Sequence, residues 1–249
     1  HVPYERKPMR LVPLKSDGTA DIASLNAESS PDYLSVRTNP RWVAKPAVAY
    51  LWARTVKCKN CRAELPLLKT RWLCKKERKR ILLTMEPKSD GSGVVFGIQK
   101  GVPAQGGNAA QKREHDKRVA AGTMSRAGAK CPCCPAIMTM EDIRVEGKAG
   151  RLGSTMTAVV VDTPKDKAYR LPTEHELAIA TPAEARIEDA FKDVPFGVPD
   201  EPMPTGEALG MRVPLYGFDK WRKLFTERQL VALGTLVSAT RAARSSMAE

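Results

Sequence analysis

The residues best equipped for chemistry are six cysteines in two groups: Cys58, Cys61 and Cys74, then Cys131, Cys133 and Cys134. Cys58-Lys59-Asn60-Cys61 and Cys131-Pro132-Cys133-Cys134 each place two thiols three positions apart. At that spacing a tight turn aims both sulfurs at one metal ion and leaves backbone N–H groups pointing at them. Two such turns brought together supply four thiolates at the corners of a tetrahedron, which suits zinc at about 2.3 Å per bond. The segments also resemble each other, as Cys-x-x-Cys-x-Ala-x-Leu from Cys58 to Leu65 and Cys-x-x-Cys-x-Ala-x-Met from Cys131 to Met138. That repeat is the pattern of a zinc ribbon built from two equivalent hairpins. The expected ligands are Cys58, Cys61, Cys131 and Cys134, with Cys133 competing for the place of Cys134 and Cys74 a buried free thiol. Four thiolates leave no open coordination position, so the expected zinc is structural.

Two features run against the pattern. Zinc knuckles commonly carry Gly after the second Cys, where the backbone takes a positive φ; here Arg62 and Pro135 follow. Proline cannot take that conformation, so the second turn must be arranged differently. Sixty-nine residues separate Cys61 from Cys131, against about 15–20 in common two-knuckle sites. Closure entropy grows only logarithmically, so the longer loop costs ~1.2 kcal/mol extra. A structural zinc contributes on the order of 10 kcal/mol, which outweighs it. A pair of disulfides suits an oxidising compartment, and a redox-active Cys-x-x-Cys suits a strand-to-helix junction; neither setting is expected here. His115 reads as a loop residue and His175 as a helix-surface residue rather than as ligands.

Lys plus Arg number 41 against 28 Asp plus Glu, a formal net charge of +13. An excess of this size favours a polyanion, and the basic residues are clustered, so DNA is the expected partner. The densest cluster is Lys75-Lys76-Glu77-Arg78-Lys79-Arg80. Lys75, Lys76, Arg78, Lys79 and Arg80 are candidate phosphate ligands, and Trp72 or Trp221 candidates for stacking on unpaired bases. No stretch approaches the ~20 consecutive apolar residues of a membrane helix, and the first residues have no apolar signal core. The expectation is a cytoplasmic protein with no membrane contact. A first residue other than Met suggests a processed chain or a fragment.

The elements that must position these residues follow from local pattern. Residues 1–45 read as poorly structured, a zinc-ribbon β domain as 46–172, and a helical segment as 173–249 with a Pro-rich connector at 194–206. The fold class is therefore α+β. Ala47 to Val56 is a strand or a short helix; Leu65–Leu73, Arg80–Met85 and Val94–Ile98 are strand candidates, the last two joined by a Gly/Ser-rich hairpin loop. Residues 100–130, rich in Gly, Ala, Gln and charge, read as a mobile insertion. Thr155 to Val161 is the best buried strand, with Lys167 to Leu171 as its hairpin partner. Capping-box spacings at Thr173–Glu176, Thr181–Glu184 and Thr226–Gln229 predict helix starts, with a break at Pro182. The last helix runs to about Arg244 and carries Leu230, Leu233, Leu236 and Val237 at helical spacing.

Catalytic motifs are missing. Gly91-Ser92-Gly93 lacks the spacing of a dinucleotide cradle and opens no helix, and there is no Gly-Lys-Ser/Thr phosphate loop. The sequence has no polar-Pro-Pro-aromatic tetrapeptide and no nucleophile–base pair, so the chain alone reads as non-catalytic.

A series of segments nevertheless follows a distinctive order: Leu51-Trp52-Ala53-Arg54-Thr55-Val56-Lys57-Cys58, Glu64-Leu65-Pro66-Leu67-Leu68, Trp72-Leu73-Cys74-Lys75-Lys76, and Cys131-Pro132-Cys133-Cys134. Ala158-Val159-Val160, Tyr169-Arg170-Leu171-Pro172-Thr173, Tyr216-Gly217 and Leu224-Phe225-Thr226-Glu227-Arg228-Gln229-Leu230 complete it. Over residues 47–238 this resembles the central region of the zinc-ribbon-containing adenine-specific DNA methylases. The resemblance implies a non-catalytic segment that engages DNA or positions the methylase halves, with the remaining domains of the methylase as partners. S-adenosylmethionine and the catalytic Asp-Pro-Pro-Tyr belong to parts of such enzymes that this chain does not contain, so only the ribbon cysteines carry over. The alternative is a zinc-stabilised protein-interaction scaffold without direct DNA binding.

Overall fold

The computed structural model describes residues 9–16, 19–43, 47–163, 166–204, 210 and 212–247. The chain divides into two compact units, one of His1–Leu51 with Met156–Ala178, the other of Trp52–Thr155 with Ile179–Glu249. The architecture is mixed α+β, with three of its four sheets antiparallel among the described residues.

In the first unit, β1 (Met9–Leu11) pairs in parallel with β2 (Arg41–Val43). Between them lie two short helices, α1 (Ile22–Ala27), capped by Asp21, and α2 (Pro31–Ser35), capped by Ser30. These elements fall in the segment expected to be poorly structured: an Asp and a Ser that each satisfy a free N–H are sufficient local starts. β3 (Ala47–Lys57) and β10 (Gly153–Asp162) pass from one unit into the other. They are the central strands of a four-stranded sheet, with β4 (Glu64–Pro66) beside β3 and β11 (Lys167–Arg170) beside β10. Met156 to Val161 is a continuously buried run, as its apolar, β-branched sequence predicts. The chain turns back from it antiparallel as β11. After β11, Thr173 and Glu176 form the expected capping box, and Glu176 also grips Arg170 at 2.6 Å.

The second unit holds the cysteines. β3 settles its ambiguity as a strand and pairs with β4; β8 (Ala129–Lys130) pairs with β9 (Ile137–Met138). The strand expected over Leu65–Leu73 is split: after β4 the chain leaves the sheet and resumes as β5 (Trp72–Lys76), because in between the Leu68 N–H bonds the Thr123 hydroxyl and the Arg71 N–H bonds the Ala120 carbonyl. β5, β6 (Lys79–Pro87) and β7 (Val94–Lys100) form a separate antiparallel meander. Residues 100–130, expected as a mobile insertion, carry the helix α3 (Ala109–Val119), started by an Asn108–Gln111 capping box. Its apolar anchor is small, Val102 and Ala120 packed with Leu82. Asp116 supplies the rest, as described below.

Helix α4 (Met140–Lys148) follows β9 directly and is capped by Thr139 and Asp142. Its Ile143 joins Val56, Leu65, Ala129 and Met138 in one buried cluster beneath the two cysteine hairpins. Gly147 of α4 meets Gly217, whose φ of +83° and missing side chain let the two backbones cross: a Cβ on either would strike the other segment's carbonyl. Further on, α5 (Glu174–Ala180) continues through a tighter 3₁₀ turn, Thr181–Arg186, into α6 (Ile187–Phe191). The capping box expected at Thr181 rests on a side chain outside the described ones; the backbone there runs on from α5 into the 3₁₀ turn.

The last helix, α7 (Glu227–Met247), packs on α6 through Leu230, Val231, Gly234 and Ser238. The expected stripe is thus displaced: Leu230 is buried, but Leu233, Leu236 and Val237 are exposed. Gly234 decides the face, since it alone lets the helix approach the Ala190 carbonyl and the Phe191 ring. No helix of the described residues is long and apolar enough to cross a membrane.

Candidate metal centre

Both Cys-x-x-Cys segments occupy the tip of an antiparallel hairpin, and the tips are of equal length. Lys57 pairs with Glu64 around the first, and Lys130 with Ile137 around the second. Each closes with the same bond: Cys58 N–H donates to the Ala63 carbonyl at 2.9 Å and Cys131 N–H to the Ala136 carbonyl at 3.0 Å. The second sulfur of each pair then accepts a backbone N–H two residues on, Cys61 from Ala63 and Cys134 from Ala136. Leu65 and Met138, the equivalent last residues of the repeat, are both buried in the common core. The sequence repeat is a structural repeat.

The hairpins face each other so that the sulfurs of Cys58, Cys61, Cys131 and Cys134 all lie within 4.8 Å of one another. Cys58 Sγ stands 3.7 Å from Cys134 Sγ, and Cys61 Sγ 3.7 Å from Cys131 Sγ. A disulfide needs about 2.05 Å, so these are not bridged pairs. A tetrahedron with 2.3 Å metal–sulfur bonds has an edge of about 3.8 Å. The group can therefore hold a metal ion such as zinc. Cys58 and Cys131 form the buried floor, whereas Cys61 is exposed at the rim.

Electrostatics agree with the geometry. Burial pushes the Cys131 thiol up to about 12, while the Ala136 N–H and the Asn60 side chain draw Cys134 down to about 6. Cys61 accepts the Ala63 N–H, which favours its thiolate, yet burial and the Cys134 sulfur leave its pKa raised. Crowded sulfurs resist joint ionisation without a cation; a divalent ion among them reverses that penalty and displaces the protons.

The turn conformations differ as the sequence demands. Arg62 takes the positive φ, at +61°, despite its side chain, and no residue of the second turn does. Two residues not foreseen as part of the site support it. Lys59, inside the first turn, donates its Nζ to Asp142 at 2.6 Å, and Asp142 Oδ2 also accepts the Thr139 N–H at 2.7 Å. One carboxylate thus ties the first turn to the helix behind the second. The Ser/Thr-x-x-acid spacing at Thr139–Asp142 is the sequence signal for that helix start.

The remaining cysteines stay outside. Cys133 turns away and donates to the Gly93 carbonyl at 3.2 Å, leaving Cys134 in the cluster. Cys74 lies on β5 and is half-exposed, not the buried thiol expected, because β5 is an edge strand of its sheet. His175 is exposed on α5, and His115, expected in a loop, lies on α3.

The basic candidates divide. Lys76 and Arg78 are exposed at the β5–β6 turn, with Lys79 half-buried beside them. Trp72, Lys75 and Arg80 instead converge on α3. Arg80 and Lys75 both bond the Asp116 carboxylate, Lys75 at 3.1 Å. The Arg80 guanidinium lies over the Trp72 ring at 4.7 Å, and Trp72 Nε1 donates to the Asp116 carbonyl at 3.1 Å. Trp72 and Arg80 are thereby engaged inside the protein. Asp116, held well below the usual carboxylate range at about 2 by the Arg80 hydrogen bond, is the residue that sequence reasoning misses.

Comparison of the chain with protein-family models, with curated proteins and with solved structures returns no match.

Proposed function

We propose that Cys58, Cys61, Cys131 and Cys134 hold one structural zinc ion, and that the unit it ties together is a non-catalytic zinc-ribbon segment of an adenine-specific DNA methyltransferase. The observation that carries the metal reading is the pair of 3.7 Å sulfur–sulfur edges on two hairpin tips of equal length. Zinc is the preferred ion because four thiolates in a closed tetrahedron suit it and leave no position for substrate. The methylase reading is supported by the ordered segments around Trp52-Ala53-Arg54-Thr55 and Leu224-Phe225-Thr226, and by the net charge of +13.

In this reading the unit engages DNA phosphates through the exposed Lys76 and Arg78 turn, with Lys75 and Lys79 beside it, or positions the methylase halves. S-adenosylmethionine and base chemistry belong to other parts of the enzyme, and no residue of this chain is assigned to them. Elemental analysis is expected to give one zinc per chain, with X-ray absorption showing four sulfurs near 2.3 Å. Anisotropy titration with duplex DNA is expected to show affinity falling with salt. The joint Lys76→Ala, Arg78→Ala variant should reduce the log–log slope by roughly 0.9 for each phosphate left without its cation. Zinc-free folded protein overturns the metal assignment; salt-independent or absent binding overturns the DNA role.

A second reading, a protein-interaction scaffold, is favoured by one feature. Leu233, Leu236 and Val237 leave an apolar stripe uncovered on α7. Self-association abolished by Leu236→Lys, without DNA affinity, would select it.

A further inference from the structure

Within the second unit, the turn that follows α6 holds a phenylalanine out in solvent. Val194 and Val198 pack against the Ile187, Phe191 and Leu230 cluster, whereas Phe196 between them is 98% exposed. The Val194 N–H bonds the Phe191 carbonyl at 3.0 Å, and the Gly197 N–H bonds the Val194 carbonyl at 3.1 Å. The second bond closes a four-residue turn in which Phe196 stands third. There it takes φ +67°, a left-handed conformation that such turns ordinarily reserve for glycine. The glycine is present one position later, as Gly197, so the strained place carries a bulky ring instead of the residue that suits it. Anchored on both sides, the turn spends backbone strain to keep an aromatic ring in water.

Its surroundings are acidic, in a chain of net charge +13. From Glu188 to Glu201 five acids stand against Lys192 alone. Lys220 and Arg222 match Asp200, but Glu188, Asp189 and Asp193 are exposed and make no ion pair among the described residues. The uncovered stripe of α7 is opposite in kind. Leu233, Leu236 and Val237 are exposed, and from Arg228 to Met247 the helix has three arginines and no acid. Two of these, Arg241 and Arg244, lie four and seven positions past Val237, on its side of the helix. One surface is a single ring with an acidic margin, and the other is an apolar strip with a basic margin.

We infer that two copies of this chain join about a two-fold axis, Phe196 of each packing on Leu233, Leu236 and Val237 of the other, with Asp189 and Asp193 toward Arg244. The inference rests on the scaffold reading of α7 and names its partner. Charge selects this pairing: a stripe laid on a second stripe would meet only arginines, whereas the turn brings the acids that the stripe lacks. Symmetry supports it, because a two-fold contact covers both rings and both stripes at once. A one-sided contact would leave one of each exposed and continue into a filament. The ring is suited to the role of anchor, since the turn has already removed the freedom that binding would otherwise cost. Two contacts of this kind are small beside a standard interface of about 1,600 Å², so the dimer is weak, with a Kd on the order of 10 µM.

Sedimentation equilibrium of the full chain across the micromolar range is the test. Wild type is expected to dimerise, and less tightly as salt screens the opposed charges. Phe196→Gly suits the backbone and removes only an exposed ring, so the fold stays intact while the dimer weakens at least tenfold. Leu236→Lys should weaken it as much. The contact itself is read with the photoreactive variant Phe196→p-benzoylphenylalanine. Irradiation should join two chains, and mass spectrometry should place the bond in the tryptic peptide Gln229–Arg241. A monomeric wild type, or a cross-link that falls elsewhere, overturns the inference. A dimer kept by Phe196→Gly and lost in Leu236→Lys also overturns it, yet leaves the scaffold reading standing, since the stripe then meets something other than Phe196. A dimer unchanged in both variants overturns the inference and the role of the stripe together.

Discussion

Two long loops of the second unit are closed by opposite kinds of chemistry. Cys61 and Cys131 are 70 positions apart, and Arg80 and Asp116 are 36 apart. At Asp116 one carboxylate meets two cations and an aromatic face, so the acid's charge is matched from within the chain and α3 is fastened as soon as it folds. At the cysteines four acids of one kind meet, and nothing in the chain cancels them. The clamp is therefore self-sufficient, whereas the cysteine cluster is a group that can hold a metal ion and has no counter-charge of its own. Loop length does not separate the two closures, since doubling a loop costs only about 0.6 kcal/mol. Charge balance does.

The largest effect that tests this contrast is removal of the ion. A structural zinc contributes on the order of 10 kcal/mol of apparent stability, and at the proposed site it would act where the two hairpins meet. Chelation by EDTA, or Cys131→Ser, is expected to abolish hydrogen-exchange protection over residues 57–65 and 129–138. Leu82 and Leu83, on the strand that α3 covers, should retain theirs. Equal loss at both places would show that the clamp depends on the metal and erase the distinction.

The converse experiment removes the carboxylate. Arg80 has only 10% of its side chain exposed, so Asp116→Ala leaves a nearly buried cation unpaired. Breaking such a pair from one side costs about 3 kcal/mol. Urea denaturation should show that loss, with zinc stoichiometry unchanged. Acid should reproduce it in part. The Asp116 pKa is lowered from 3.8 to about 2 in the fold, mainly by the Arg80 hydrogen bond. A depressed folded pKa gives stability that is present above pH 4 and disappears as pH falls from about 4 through 2. The shift corresponds to about 2 kcal/mol. Asp116→Asn should flatten the stability profile in that window alone, whereas protonation of the thiols would release zinc from wild type and variant alike.

These two closures are not equally legible in the sequence. Four cysteines at metal-ligand spacing, repeated with an Ala and an apolar residue in step, state their partners outright: the chemistry restricts what they can meet. Asp116 carries no such mark. It is one acid among Lys112, Arg113, Lys117 and Arg118, and its partners are set only once β5 and β6 bring Lys75 and Arg80 together. The same cluster, Lys75 to Arg80, reads as a solvent-facing binding surface because sequence shows charge but not which side of a strand is covered. Helix α3 is hidden for a related reason. Its apolar content is too low to announce packing, and the Asn108–Gln111 capping box is the one local sign. In α7 the spacing of Leu233, Leu236 and Val237 points to the wrong face, since Gly234 fixes the packing by what it lacks.

The smallest expected effect sharpens the comparison inside the metal site itself. The two turns are equal in length and in closing bonds, yet they reach that geometry from different residues. Arg62 sits at φ +61°, a conformation that costs a side-chain-bearing residue about 1 kcal/mol, and Pro135 follows the corresponding cysteine with no positive φ. Arg62→Gly removes the strain but loosens the unfolded chain, which returns roughly half of the gain. A net stabilisation of about 0.5 kcal/mol is expected for the zinc-loaded protein. Pro135→Gly relieves no strain and only adds freedom to the unfolded state, so it should lower stability by about 1 kcal/mol. Thermal denaturation of the two variants beside wild type decides the matter. Shifts of opposite sign mean that the repeat shares its bonds but not its backbone solution. Shifts of the same sign would mean that the second turn takes up the first turn's conformation once the metal is bound.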